Sequence, residues 1–171
     1  MRIFLIGFMG SGKTTVGNAL ARKLNYSFTD LDSFIEYKTG KSIYDFFADE
    51  GEEKFRKTEH KALIELSKKD NIVISCGGGT PCFYNNIDII NKKGLSVYIK
   101  YPIGKLKSRL LPKMGKRPML KNIFTPEDLE SFIKQMIHER EKFYLKSKLV
   151  LYNPKGTKNI IASVTDFLKE Q

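Results

Sequence analysis

The run Gly7-Phe8-Met9-Gly10-Ser11-Gly12-Lys13-Thr14 constrains this chain more than any other stretch. It fits the pattern G-x-x-x-x-G-K-[ST], a loop whose glycines let successive backbone N–H groups turn inward around phosphate oxygens. Such a loop works in one setting. A strand leads into it and a helix leaves it, so that the positive end of the helix faces the anion. The flanks supply both. Arg2–Gly7 is a short apolar run rich in Ile, Leu and Phe, which reads as a buried strand. Thr14–Leu24 places Val16, Ala19, Leu20 and Leu24 at helical spacing. The reading is a nucleotide-phosphate site cradled by Gly10, Ser11 and Gly12. Lys13 would reach the β- and γ-phosphates and the Thr14 hydroxyl would ligate Mg²⁺.

The rest of the chain repeats the strand-then-helix alternation. Tyr26–Thr29, Asn71–Ser75, Leu95–Lys100 and Leu149–Tyr152 read as further strands. Helical patterns occupy Asp32–Tyr37, Ile43–Ala48, Glu52–Lys68, Phe83–Asn91, Pro102–Leu111, Thr125–Leu145 and Lys158–Leu168. This alternation predicts an α/β fold around a parallel sheet. At 171 residues one domain over 1–171 is expected. Pro112–Phe124 is the one sizeable break and reads as a loop. No apolar run approaches the ~20 residues of a membrane helix. Cys76 and Cys82 have no metal or redox spacing, so a reducing, cytoplasmic setting is the plain expectation. A switch GTPase would carry Asn-Lys-x-Asp, which is absent, and a motor or helicase needs far more chain. A small phosphotransferase fits the length, and it needs an acceptor site, a magnesium partner and a cationic cover.

Candidates for each are present. Asp30-Leu31-Asp32 follows the second strand, at the sheet edge where open α/β folds bind ligands. One carboxylate can support magnesium and the other can orient or deprotonate a hydroxyl; capping a helix is the competing use of the pair. Arg140 shares a helical stripe with Ile133, Met136, Ile137 and Tyr144. An arginine there needs an anionic partner, either an internal acid or a ligand carboxylate. Arg56 and Glu59 stand three apart on one helix, as a solvated pair or with Glu59 aiming Arg56 into a site. Gly77-Gly78-Gly79 after an apolar strand is a flexible turn or a backbone that a ligand approaches closely. That strand lacks the aspartate of a Walker B element, which puts more weight on Asp30. Lys116 and Arg117 stand before Pro118 in the break, where a lid could carry a cation to the transferring phosphoryl group.

Together these pieces resemble the shikimate kinases, of the nucleoside-monophosphate-kinase-like P-loop family. The resemblance is carried by GFMGSGKTT at Gly7–Thr15, FTDLDSFIE at Phe28–Glu36, TGKSIYDFFADEGEEKFRKTE at Thr39–Glu59, CGGGT at Cys76–Thr80, KRPML at Lys116–Leu120 and ERxxFY at Glu139–Tyr144. It implies a three-layer fold with a five-stranded parallel sheet in the order 2-3-1-4-5, helices on both faces and a mobile lid over about 112–124. It implies a substrate-binding region at 32–60 and transfer of the ATP γ-phosphoryl group to the 3-hydroxyl of shikimate. By position, Asp32 would hold the ring hydroxyls and serve as base. Arg56 and Arg140 would grip the shikimate carboxylate, with Gly77, Gly78 and Gly79 against the substrate. Lys13 and Arg117 would act on the phosphoryl group, Thr15 would join the nucleotide contacts, and Asp30 would support Mg²⁺ beside Thr14. Arg109 would stack on adenine, with Pro154 touching it from the other side. Cys76 stands where the family usually has Thr, and a thiol there would be reactive if it titrated low.

Charge gives the last constraint. Thirty Lys+Arg against 19 Asp+Glu leave +11, which invites a nucleic-acid partner. Ten basic residues and no acids fall in Ile89–Pro126, the segment of the adenine-side helix and the lid. Four of the six arginines occupy positions assigned to a ligand. The resemblance implies ATP and shikimate as partners; no nucleic acid, no membrane and a monomeric chain are expected.

Overall fold

The central strand shows why the sheet has two covered faces. In a computed structural model describing residues 1–114 and 118–170, β1 (Arg2–Ile6) is buried along Ile3–Ile6. Side chains alternate across a strand, so Ile3 and Leu5 point to one face and Phe4 and Ile6 to the other. Both sets are apolar, as a central strand in a doubly covered parallel sheet requires. The other strands are β2 (Ser27–Asp30), β3 (Ile72–Ser75), β4 (Leu95–Lys100) and β5 (Leu149–Tyr152). They pair in parallel in the order β2-β3-β1-β4-β5, as expected.

The helices are α1 (Lys13–Leu24), α2 (Leu31–Thr39), α3 (Ile43–Leu66), α4 (Asn86–Lys93), α5 (Ile103–Leu110), α6 (Pro126–Tyr144) and α7 (Thr157–Lys169). Ile3 and Leu5 pack with Val16, Leu20, Leu110, Ile133 and Val164, from α1, α5, α6 and α7. Phe4 and Ile6 pack with Leu31, Phe55, Leu63, Ile90 and Tyr144, from α2, α3, α4 and the end of α6. Thus α6 reaches both cores, and its last turn lies over the second.

Local chemistry fixes the ends of these helices. Asp30 Oδ1 accepts from the backbone N–H groups of Asp32 and Ser33 and caps α2. Ser42 caps α3 through Asp45 N, and Thr125 caps α6 through Asp128 N with Pro126 in the first turn. Gly51 has φ 78° and ψ 169°, a conformation essentially reserved for glycine, and it breaks α3 into two helical segments.

Two boundaries depart from the sequence reading. The helix expected over Phe83–Asn91 begins at Asn86, because Tyr84 (φ 50°) and Asn85 (φ 55°) take left-handed conformations. The Pro112–Phe124 break is not featureless: it holds single 3-10 turns at Leu111–Lys113 and Pro118–Leu120.

Candidate active site

The strand register aligns the functional residues. Asp30 is paired with Ser75, and Ser75 with Leu5, so the phosphate loop, the Asp30–Asp32 segment and the glycine triplet leave neighbouring strands side by side. Gly10 (φ 80°) and Gly12 (φ 88°) use conformations costly to other residues, and a Cβ on Gly10 would also press on Leu110 at 3.1 Å. Lys13 Nζ donates to the carbonyls of Gly7 (2.8 Å) and Phe8 (3.1 Å) of its own loop. The Thr14 hydroxyl donates to Asp30 Oδ2 at 2.8 Å. Asp30 therefore caps α2 with one oxygen and meets Thr14 with the other.

Around the loop lie three clefts. One, of about 430 Å³, is lined by Lys13, Thr14, Asp30, Asp32 and Ser75. A second, of about 320 Å³, is lined by Thr15, Tyr101, Arg109 and Gly156. Arg109 Nη1 donates to the carbonyls of Gly10 (3.2 Å) and Ser11 (3.4 Å), and its guanidinium lies 4.3 Å from the centre of the Tyr101 ring. Pro154 is buried and stands apart from this cleft, where Gly156 and Thr157 form the wall instead. Lys113 lines both clefts.

The third cleft, of about 500 Å³, holds the acceptor candidates Asp32, Arg56, Gly77, Gly78, Gly79 and Arg140. Asp32, Gly77 and Gly78 also line the phosphate cleft, so the two spaces meet at these residues. The space beside the glycines is taken up by functional side chains. A Cβ on Gly77 would lie 2.8 Å from Asp32 Oδ1, and one on Gly79 would lie 2.6 Å from Arg56 Nη2. On Gly78 it would sit 3.3 Å from Arg140 Nη1, so consecutive glycines face the two guanidiniums.

Arg56 and Glu59 form a buried pair, not a solvated one. Arg56 Nη1 donates to Glu59 Oε2 at 2.8 Å, and Glu59 is 1% exposed. Arg56 also donates to Glu52 Oε1 at 3.2 Å and sits 4.4 Å from the centre of the Phe83 ring. Among the described residues no carboxylate pairs with Arg140. Its stripe neighbour Tyr144 donates from its hydroxyl to the Gly78 carbonyl. Burial pushes the Asp32 carboxyl up to about 6, helped by the charges of Glu59 and Asp30 and opposed by Lys13 and Arg56.

Burial also pushes the Cys76 thiol far up, so the condition for a reactive thiol beside the glycines is not met. Lys116 and Arg117 lie outside the described residues. Sequence reasoning overlooked Ser75, Tyr101 and Met119 as cleft residues. Ser75 was findable, because it ends β3 where the missing Walker B aspartate would stand.

The shikimate kinase family model matches residues 9–169. A shikimate kinase of Azobacteroides pseudotrichonymphae genomovar. CFP2 is 48% identical over 161 residues, covering 94% of each chain. The crystal structure of shikimate kinase from Bacteroides thetaiotaomicron superposes with a TM-score of 0.93 at 36% identity, over 99% of this chain and 98% of that one. The shikimate kinase from Acinetobacter baumannii, solved in complex with shikimate, gives a TM-score of 0.86 at 29% identity, over 99% and 93%.

Proposed function

The chain belongs to the shikimate kinase family, and from that premise we propose how its residues divide the work. The enzyme transfers the γ-phosphoryl group of ATP to the 3-hydroxyl of shikimate, giving 3-phosphoshikimate and ADP. The observation that carries the division is the meeting of two clefts at Asp32, Gly77 and Gly78. An acceptor in one cleft and a triphosphate in the other would face each other across the Asp32 carboxylate.

Arg140 and Arg56 grip the shikimate carboxylate by charge-assisted, bidentate contacts. Arg56 is already compensated by Glu59, so it orients the acceptor. Arg140, which pairs with no described carboxylate, supplies most of the attraction. Gly77–Gly79 let the ring approach the backbone. Asp32 accepts the hydrogen bond of the 3-hydroxyl. As the hydroxyl oxygen bonds to the γ-phosphorus, its proton passes to this carboxylate and the bridging oxygen leaves with ADP. Gly10, Ser11, Gly12 and Thr15 hold the phosphates, and Lys13 turns from its loop carbonyls to the transferring group. Arg117 completes the charge from the lid over about 112–124, while 32–60 forms the substrate-binding region. Arg109 and the Tyr101 side of the second cleft hold adenine.

Thr14 and Asp30 offer a hydroxyl and a carboxylate oxygen in contact, a donor set that suits Mg²⁺, which takes one or two protein oxygens and fills the rest with water and phosphate. When bound it neutralises charge on the β- and γ-phosphate oxygens. No described helix is long and apolar enough to cross a membrane. We further read the chain as a single-domain, monomeric cytoplasmic enzyme without a nucleic-acid partner. Its basic excess lies around the lid, and its cysteines are unpaired.

Coupled ADP release with shikimate, gluconate, nucleoside monophosphates and DNA as separate additives tests this reading. Shikimate alone is expected to stimulate turnover. Absence of a rate above background with shikimate would sink the assignment, and light scattering at a dimer mass would remove the monomer.

A further inference from the structure

Behind the acceptor cleft lies a network that ends at two of its lining residues, Arg56 and Glu59. Thr80 and Asn86 are completely buried and line none of the three clefts. The Thr80 hydroxyl donates to Glu59 Oε1 at 2.6 Å. The other Glu59 oxygen accepts from Arg56, so the two bonds together hold the carboxylate plane and aim it at the guanidinium. Thr80 is held in turn. Its backbone carbonyl accepts from Asn86 Nδ2 at 2.8 Å. A carbonyl oxygen only accepts, so this bond fixes the amide orientation of Asn86. Asn86 Oδ1 then faces His60 Nδ1 at 2.6 Å, and His60 must carry its proton on that nitrogen.

The segment between these anchors is strained and useful. Tyr84 and Asn85 occupy left-handed conformations, which persist only where the surroundings over-determine them. Asn86 supplies that constraint immediately after them. Phe83, just before them, lays its ring against Arg56. One short stretch thus grips the Arg56–Glu59 pair twice, by a hydroxyl and by a ring, and is tied back on itself by an amide.

We propose that Thr80, held from behind by Asn86, is a positioning residue for acceptor recognition, setting the Arg56 guanidinium through the Glu59 carboxylate. Without the hydroxyl, Glu59 stays buried but loses one of the two bonds that fix its rotamer. Arg56 would then sample orientations that miss the acceptor carboxylate. The inference rests on Arg56 contacting that carboxylate.

Thr80→Val is the test, because it keeps shape and removes the donor. Its KM for shikimate is expected to rise about tenfold, the loss of one hydrogen bond to a charged group, with KM for ATP changed less than about twofold. Thr80→Ser should restore the parent value. In an Arg56→Lys background Thr80→Val should add nothing, since it acts through the guanidinium. Thermal melting of each variant separates recognition from folding. A Thr80→Val protein that melts lower with an unchanged KM overturns the proposal, and so does a full tenfold effect on top of Arg56→Lys. Should Thr80→Val not fold, Asn86→Ser serves: a folded Asn86→Ser enzyme with an unchanged KM for shikimate also overturns it. An Arg56→Lys enzyme with unchanged KM is a different failure, that of the carboxylate reading itself.

Discussion

The two halves of the site are built from different materials. The nucleotide half is mostly backbone: curled glycines, inward N–H groups, and two cations that rest on carbonyls of the same loop, Lys13 on Gly7 and Phe8, Arg109 on Gly10 and Ser11. The acceptor half is mostly side chain, with charge buried against charge at Arg56–Glu59 and a carboxylate, Asp32, lifted by its surroundings. A backbone cradle accepts any triphosphate of the right spacing. A side-chain pocket discriminates, because each of its charges has been removed from water and must be answered. The division predicts that damage to the first half spares the acceptor KM, whereas loss of the arginines of the second raises it; Asp32, which lines both clefts, acts on turnover itself.

The hardest blow to this division is Lys13→Ala. It is expected to lower kcat by about 10²–10³-fold, as removal of one preorganised donor does. Steady-state kinetics should leave the shikimate KM nearly unchanged; a large rise there would erase the separation. Next comes Arg140→Ala, expected to weaken shikimate by about 2–5 kcal/mol with ATP binding unaltered, measured by titration calorimetry. Gly79→Ala should follow. Its methyl would fall on the Arg56 guanidinium, costing about 1–3 kcal/mol in overpacking, read as a higher shikimate KM.

The Asp32 carboxyl provides a pH arm. It must be ionised to accept the hydroxyl, so kcat/KM for shikimate should fall about tenfold per unit below pH 6, as a pH–rate profile would record. Stability runs the other way. The folded state holds this proton up to about 6 and the unfolded state releases it near 3.8, so stability falls as pH rises through that window. Asp32→Asn is accordingly expected to be inactive yet to melt higher at pH 7, with the gap closing as pH falls toward 4. The smallest effect is Arg109→Ala, about 0.5–1 kcal/mol in ATP binding through loss of its contacts with Tyr101 and the loop.

The same contrast explains what could be read from the residues alone. The phosphate loop is contiguous, and its strand and helix are its immediate neighbours, so motif and fold stand within 24 positions of the start. The strand order followed from the resemblance, and the alternation of strand and helix from periodicity. The acceptor pocket draws Asp32 from α2, Arg56 from α3, the glycines from the end of β3 and Arg140 from α6. Nothing local in the chain joins them, and periodicity left Arg140 suspended between an internal acid and a ligand. Thr80 and Asn86 were invisible for a plainer reason. Buried hydroxyls and amides show their purpose only through partners far along the chain, here Glu59 and His60. The start of α4 is not legible because Tyr84, an aromatic residue that rarely does so, takes a left-handed conformation beside Asn85.

Gly51 has a consequence for how such a chain can diversify. By interrupting α3 it separates Tyr44 and Phe47, which wall the acceptor cleft, from Arg56 and Glu59, which anchor it. Substitutions at Tyr44 would recontour the cavity while the hydrogen-bonded ladder after the seam stays as it is, whereas Phe47, packed on Phe55 at 4.4 Å between ring centres, would pass its changes across. A lineage could drift in what it admits without first losing the scaffold that does the phosphorylating.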